Sequence, residues 1–408
     1  MSSNPAVSLS TPASTAQPAG LSPLLVWMLA AGAAFSVACL YYSQPMLGVL
    51  AQNLGASDQA VGWVPTLTQL GYAVGILLLA PLGDRHDRRN IIAIKAALLV
   101  VALVVATVSP SLVLLLPASL LIGLTATMAQ DIVPSAAALA PEQQRGKVVG
   151  TVMTGLLTGI LLSRVLSGLV AAQFGWRAVF GMAAVTIVLI TLCIRRVLPP
   201  MAPVTQLPYL QLLASLKGLW NQHAALRRAA IGQGLLATGF SAFWSTLAVY
   251  LHGEPFGMGS AVAGSFGLAG AAGALAAPLA GHMADRRGPQ VVTRLGAGLA
   301  VVAFAGMGLA AGWPVHSQLV VLAVGAVLFD LGVQATLISH QTLIYSIDPG
   351  ARSRLNAVLF VGMFTGMSLG AALGSALLAH VGWGAVMGMA ACTSLAAFGV
   401  VWFHRPIR

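Results

Sequence analysis

Charge is what this chain has least of. Charged residues fill 7% of its 408 positions, against about 25% in an ordinary soluble domain. A chain that is 58% hydrophobic has too little polar surface to cover itself in water, so its solvent is lipid. Negative charge is scarcer still, with 9 Asp and Glu against 20 Lys and Arg. Cysteine is rare too. Cys39, Cys193 and Cys392 all lie in apolar runs, without disulfide or zinc spacing. No phosphate-cradling Gly-x-x-x-x-Gly-Lys motif occurs, which argues against ATP hydrolysis. Histidines are scattered with no metal-ligand spacing. No enzyme site stands out, and neither a metal nor an organic cofactor is expected.

What is abundant is apolar sequence in lengths of about 20 residues, enough to cross a bilayer. Twelve such spans account for most of the chain. The expected fold is all-α: twelve transmembrane helices in two pseudo-symmetric six-helix bundles. The first bundle is expected over 24–196 and the second over 229–403. A cytoplasmic connection, 197–228, contains LQLLASLKGLW, whose apolar spacing suits a helix lying flat on the membrane. Residues 1–23 have no charged side chain and are rich in Ser, Ala, Thr and Pro; they read as a disordered tail, as does the short stretch 404–408.

The net charge of +11 need not mean nucleic acid. With spans read alternately from a cytoplasmic N-terminus, nearly all Lys and Arg fall on one side. Only Arg177 falls opposite, and Arg164 falls inside a span. Lys95 and Arg294 sit a turn inside their spans, where each can snorkel to the basic face. This asymmetry is the positive-inside rule. The expectation is a bacterial inner membrane with both termini cytoplasmic, and a monomer whose partners are lipid and a small molecule, not nucleic acid.

The chain also repeats itself. FGWRAVFGMAA at 174–184 returns as VGWGAVMGMAA at 381–391, 207 residues on. GLLTG (Gly155 to Gly159) and GMFTG (Gly362 to Gly366) keep the same offset. GDRHDRR, from Gly83 to Arg89, is echoed by ADRRG, from Ala284 to Gly288. Two homologous halves in a membrane point to a carrier.

The repeated short loop resembles the loop between spans 2 and 3 of the major facilitator superfamily, roughly Gly-x-x-x-Asp-Arg-x-Gly-Arg-Arg. GHMADRRG keeps Gly281, Asp285, Arg286 and Gly288. APLGDRHDRR keeps Asp84, Arg85, Arg88 and Arg89, but has Ala80 and Asp87 where the glycines are expected. DLGVQ (Asp330 to Gln334) and PTLTQLGYAVG (Pro65 to Gly75) look further like the drug:proton antiporter and sugar-efflux branch. The resemblance implies alternating access, a proton gradient as energy source, and a central cavity lined by spans 1, 4, 7 and 10. It also implies that both loops act as gates, with Asp84 contacting the other half when the cytoplasmic side is closed. An Arg expected early in span 4 is replaced by Ser119. Export of a sugar or amphipathic drug by proton antiport is the leading expectation. Proton-symport uptake of a small organic anion or sugar, and a non-transporting receptor, remain open.

Two carboxylates fall within spans, where a charge is costly and marks function by default. Asp330 lies near the midplane of span 10. A proton-coupled carrier needs such a group to load and release its proton; the alternative is a bond that holds a neighbouring helix. Gln334, four residues on, shares its face. Asp131, preceded by Gln130, lies roughly 13 Å into span 4, and Pro134 is expected to break the helix nearby. Asp131 is a second candidate for proton coupling or a structural group. Arg164 in span 5 cannot shed its charge. It is expected either to pair permanently, with Asp131 as one candidate partner, or to receive an anionic group of the substrate. Tyr42, Gln44, Gln69 and Trp244 complete the candidates for substrate contact, with interfacial anchoring as the alternative for the aromatics.

Overall fold

The computed structural model describes residues 21–270, 282–283, 286–348 and 351–402. Helix accounts for almost all of them. The first bundle comprises α1 (Pro23–Ala38), α2 (Leu47–Leu54), α3 (Asp58–Val61), α4 (Trp63–Arg85), α5 (Arg88–Val108), α6 (Leu112–Ala126), α7 (Ala129–Leu139), α8 (Arg145–Phe174) and α9 (Trp176–Val197). The connection carries α10 (Tyr209–Gln222). The second bundle comprises α11 (Ala224–His252), α12 (Ser260–Ser265), α13 (Pro289–Leu309), α14 (Val315–Tyr345), α15 (Arg352–His380) and α16 (Trp383–Trp402). Among the described residues, ten helical segments are long and apolar enough to cross a membrane. Two shorter apolar helices, Pro23–Ala38 and Ser260–Ala269, stand where spans 1 and 8 are expected.

The outward faces explain why the sequence is so apolar. Ile94, Leu98, Val101, Val104 and Val108 are exposed along α5. They recur every three or four residues and form one stripe facing lipid. Val185, Val188, Leu189 and Leu192 do the same on α9.

The halves repeat in three dimensions. In the first, α8 packs on α1 and α9 on α5; in the second, α15 packs on α11 and α16 on α13. A Cβ on Gly155 would meet the Ala30 carbonyl, and one on Gly159 the Ala34 carbonyl. Gly362 and Gly366 bear the same relation to Ala230 and Gly234. Small residues let these backbones touch. The repeated Gly-Trp pair has its own cause. Gly175 (φ 80°) and Gly382 (φ 106°) take left-handed turns, which favour glycine. Each turn then drives a buried Trp, Trp176 or Trp383, into its bundle.

Two expected spans are broken. Span 1 is not continuous from Leu24 to Leu47: it stops at Ala38, turns through 39–43 and resumes as a short 3-10 segment, Gln44–Met46. The ring of Pro45 would clash with the carbonyl of Tyr41 in a continuous helix. Span 4 breaks at Thr127–Met128, upstream of the expected place, and Pro134 lies inside α7.

Candidate functional site

Hydrogen bonds from α3 and the first third of α4 join the two bundles. Gln59 meets His380 (3.2 Å), Ser368 donates to the Thr66 carbonyl (3.0 Å), and Ser241 donates to Gln69 Oε1 (2.9 Å). On the opposite flank, Ser260 donates to the Gly168 carbonyl (3.0 Å). Gly168 and Gly264 approach so closely that neither accommodates a Cβ. The bundles are thus zipped together at the end away from Asp84.

Just inside this seam lies Arg164, 3% exposed. The break in span 1 positions its partners. The turn after α1 places Tyr41 against the guanidinium, 4.7 Å from ring centroid to Cζ, and presents Gln44 Oε1 to Nε at 2.8 Å. From the other bundle, Trp244 and Phe240 on α11 stack on the same group at 4.3 and 5.9 Å. A guanidinium is weakly hydrated and planar, so aromatic faces solvate it where a lysine would be poorly held.

Asp330, 4% exposed on α14, faces this arrangement from the second bundle. Arg164 and Asp330 lie close enough to feel each other's charge, and Trp244 neighbours both. They are not locked together. Arg164 Nη2 and Asp330 Oδ1 are both buried without a hydrogen-bond partner. Gln44 Nε2, Gln69 Nε2 and Ser245 Oγ share that condition. Buried polar groups in proteins are almost always satisfied, so the unpartnered atoms of Arg164, Asp330 and Gln44 leave this centre with capacity for a further polar partner. Asp330 Oδ2 packs on Gly270, where a Cβ would come within 2.9 Å. Phe329 closes the floor against Phe240, Phe243 and Phe304.

Asp131 belongs elsewhere. Arg164, one candidate partner, does not reach it. Instead Lys95 Nζ donates to Asp131 Oδ2 at 2.6 Å, with both side chains buried. Lys95 therefore does not snorkel: a carboxylate within reach in a dry interior holds an ammonium better than a route to the surface. Gln130 turns away to Tyr72 Oη (3.1 Å). Tyr42 is buried but is not the ring that contacts Arg164; its neighbour Tyr41 is. Gln334 is half-buried on α14.

The first copy of the repeated loop packs on this second charge cluster. Asp131 Oδ1 abuts Gly83. Arg88 donates to the Gly83 carbonyl (3.1 Å) and pairs with Asp84 (2.7 Å). Asp84 is thus paired within its own bundle, while its carbonyl accepts from Val204 and Thr205 of the connection (2.8 and 3.1 Å). Arg89 donates to the Arg195 carbonyl (2.6 Å). Arg85 is exposed. Asp87, standing where glycine was expected, caps α5 by accepting from Arg89 N (2.9 Å) and also accepts from Met201 N (3.0 Å). In the second loop Gly288 has φ 85° and Arg286 is exposed. Gly281 and Asp285 lie outside the described residues.

A helical chain with duplicated bundles and a buried polar centre between them is the architecture of one transporter family. The Major Facilitator Superfamily model matches residues 27–346. The chain belongs to that superfamily. It is 39% identical over 387 residues to the uncharacterized transporter YgaY of Escherichia coli O157:H7, covering 94% of this chain and 97% of that one. It is 34% identical to the probable transporter SCO4007 of Streptomyces coelicolor, over 93% and 89% of the two chains. Among solved structures, the nucleoside transporter NupG superposes with a TM-score of 0.71 at 15% identity, over 92% of this chain and 98% of that one. That likeness shows the fold alone. This facilitator is accordingly a multi-pass membrane transporter, not an enzyme.

Proposed function

We propose that this facilitator is a proton-coupled carrier that exports a small organic solute, a sugar or an amphipathic ring compound, in exchange for protons. The observation that carries the reading is Asp330 facing Arg164 across the two bundles with one unpartnered polar atom on each. A coupling carboxylate must change charge during the cycle, so its counter-charge has to be near without being fixed to it. With Asp330 ionised, the permanent cation Arg164 balances it. With Asp330 protonated, Arg164 Nη2 is left for an oxygen of the solute. Tyr41, Phe240 and Trp244 supply flat apolar faces, and the free amides of Gln44 and Gln69 supply hydrogen bonds. Such a mixture suits a ring with polar substituents.

The orientation follows from charge. Arg85, Arg88, Arg89, Arg145, Lys147, Lys217, Arg227 and Arg228 gather at the Asp84 end, which the positive-inside rule assigns to the cytoplasm of a bacterial inner membrane. In this orientation the zipped end faces outward.

Proteoliposomes test the proposal. An imposed pH gradient should drive movement of the cognate solute. Asp330→Asn should abolish gradient-driven accumulation while solute exchange down its own gradient persists. Accumulation against a gradient in Asp330→Asn would remove that residue from coupling. Failure of every compound in a broad panel to move would favour a receptor.

A further inference from the structure

A cavity of ≈ 510 Å³ lies away from the Arg164 site, between α4 of the first bundle, α11 and α15 of the second, and α10 of the connection. It is a slot. Along α15 its lining runs from Ala357 to Leu369, which is about 18 Å at the helical rise per residue. That is close to the depth of one leaflet, half of a hydrocarbon core about 30 Å thick. Leu77, Ile231, Val361 and Leu369 represent its walls. Below the mouth the lining is aliphatic apart from two threonines, and Thr238 turns its hydroxyl to the Gly234 carbonyl (2.9 Å). A polar solute finds little to hold there.

The mouth is different. Lys217 and Trp220, both exposed on α10, line the slot at its Asp84 end. The cation of Arg227 is fixed beside them, donating to the carbonyls of Trp220 and Asn221 (both 2.7 Å). α10 buries Leu212, Leu216 and Leu219, so it is held against the bundles with these groups at the slot entrance. Leu77, Ile231 and Leu369 are 38%, 46% and 54% exposed. Apolar walls open to the membrane, one leaflet deep, with two cations at the rim, match the shape and charge of one molecule class.

We propose that this slot binds an anionic phospholipid, one acyl chain lying between α4 and α15 and its phosphate at Lys217 and Arg227. The chain wedges the two bundles apart at the Asp84 end, where the hydrogen-bonded seam does not reach. The site stands independently of which solute is carried.

The test uses the full-length protein in nanodiscs containing a phosphatidylglycerol with a photoreactive acyl chain, with adducts mapped by mass spectrometry. Adducts are expected on Val361, Thr365 and Leu369. Lys217→Gln, at an exposed position that leaves packing intact, should lower their yield about fivefold, since one basic residue near a membrane surface is worth about that factor. Val361→Trp, which fills the slot, should abolish them while adducts on the outer stripe of α5 at Leu98 and Val101 persist. Adducts spread evenly round the belt, or unchanged in both variants, would overturn the site. Equal yields from a zwitterionic phosphatidylcholine probe would overturn the headgroup assignment, as would displacement by a free amphipathic solute but not by phosphatidylglycerol.

Discussion

At the scale of single residues, Arg164 is where chemistry is concentrated. Its charge cannot be removed by protonation equilibria, and its plane is sandwiched by Tyr41 of one bundle and Trp244 of the other. Lysine at this position would keep the charge but lose the stack and the geometry of the Gln44 bond. Arg164→Lys should therefore weaken binding of an identified solute, and Arg164→Gln should weaken it further. A lost hydrogen bond to a charged group costs about 1.5–3 kcal/mol, so the Gln variant should lose roughly ten- to a hundredfold in affinity, read by radioligand binding in detergent. Unchanged affinity in Arg164→Gln would leave the residue a structural role only. The partners of Arg164 were half visible in sequence. A cation in an apolar run had to find something, and Tyr42 and Gln44 were candidates near the end of span 1. That Tyr41 and not Tyr42 reaches the guanidinium depends on the turn at 39–43, which a continuous helix would have phased differently.

At the scale of elements, the legible features were those with a local cause. Apolar runs gave the spans, the paired Gly-x-x-x-Gly stretches gave the α1–α8 and α11–α15 contacts, and the repeated Gly-Trp gave two left-handed turns. The break in span 1 falls upstream of Pro45 because the clash acts on the preceding turn, whereas Pro134 lies inside α7 and the break in span 4 precedes that helix. The Lys95–Asp131 pair was not legible. The two residues are 36 apart, and only the packing of α5 on α7 decides that Lys95 turns inward. That pair has a clear energetic consequence. Removing one partner leaves an uncompensated buried charge, a loss of about 3–5 kcal/mol, whereas replacing both by apolar groups is often neutral. Lys95→Met should lower the thermal unfolding temperature markedly, and Lys95→Met with Asp131→Leu should recover most of it. Fluorescence-monitored unfolding in detergent reads both. A double variant no more stable than the single one would mean that the charges do more than balance each other, as expected if Asp131 also positions Gly83 and the loop that follows it.

At the scale of the whole molecule, the two bundles are held by short polar contacts at one end and by a connection at the other. Asp84 is engaged with Arg88 and with the backbone of Val204 and Thr205. If the Asp84 carboxylate reaches across to the second bundle, it has to leave Arg88, while its backbone carbonyl can keep its bonds to the connection. Opening the far end requires parting Gln59 from His380, Thr66 from Ser368 and Gly168 from Ser260. Each bond is worth only about 0.5–1.5 kcal/mol, and the close glycine contacts carry no side chains that interlock, so the seam separates at modest cost. If the bundles rock about the Arg164–Asp330 centre, a covalent tie across the seam must stop the cycle. Cys193 and Cys392 are exposed and Cys39 is buried, so a background with Cys193→Ser and Cys392→Ser isolates the introduced pair. In that background, Gln59→Cys with His380→Cys, joined by a short disulfide-forming cross-linker, should lose solute transport and regain it on reduction. Binding of solute from the Asp84 side should survive, because the tie holds the conformation described here. Undiminished transport in the cross-linked protein would show that this end does not open, and would require a path for solute that avoids the seam altogether.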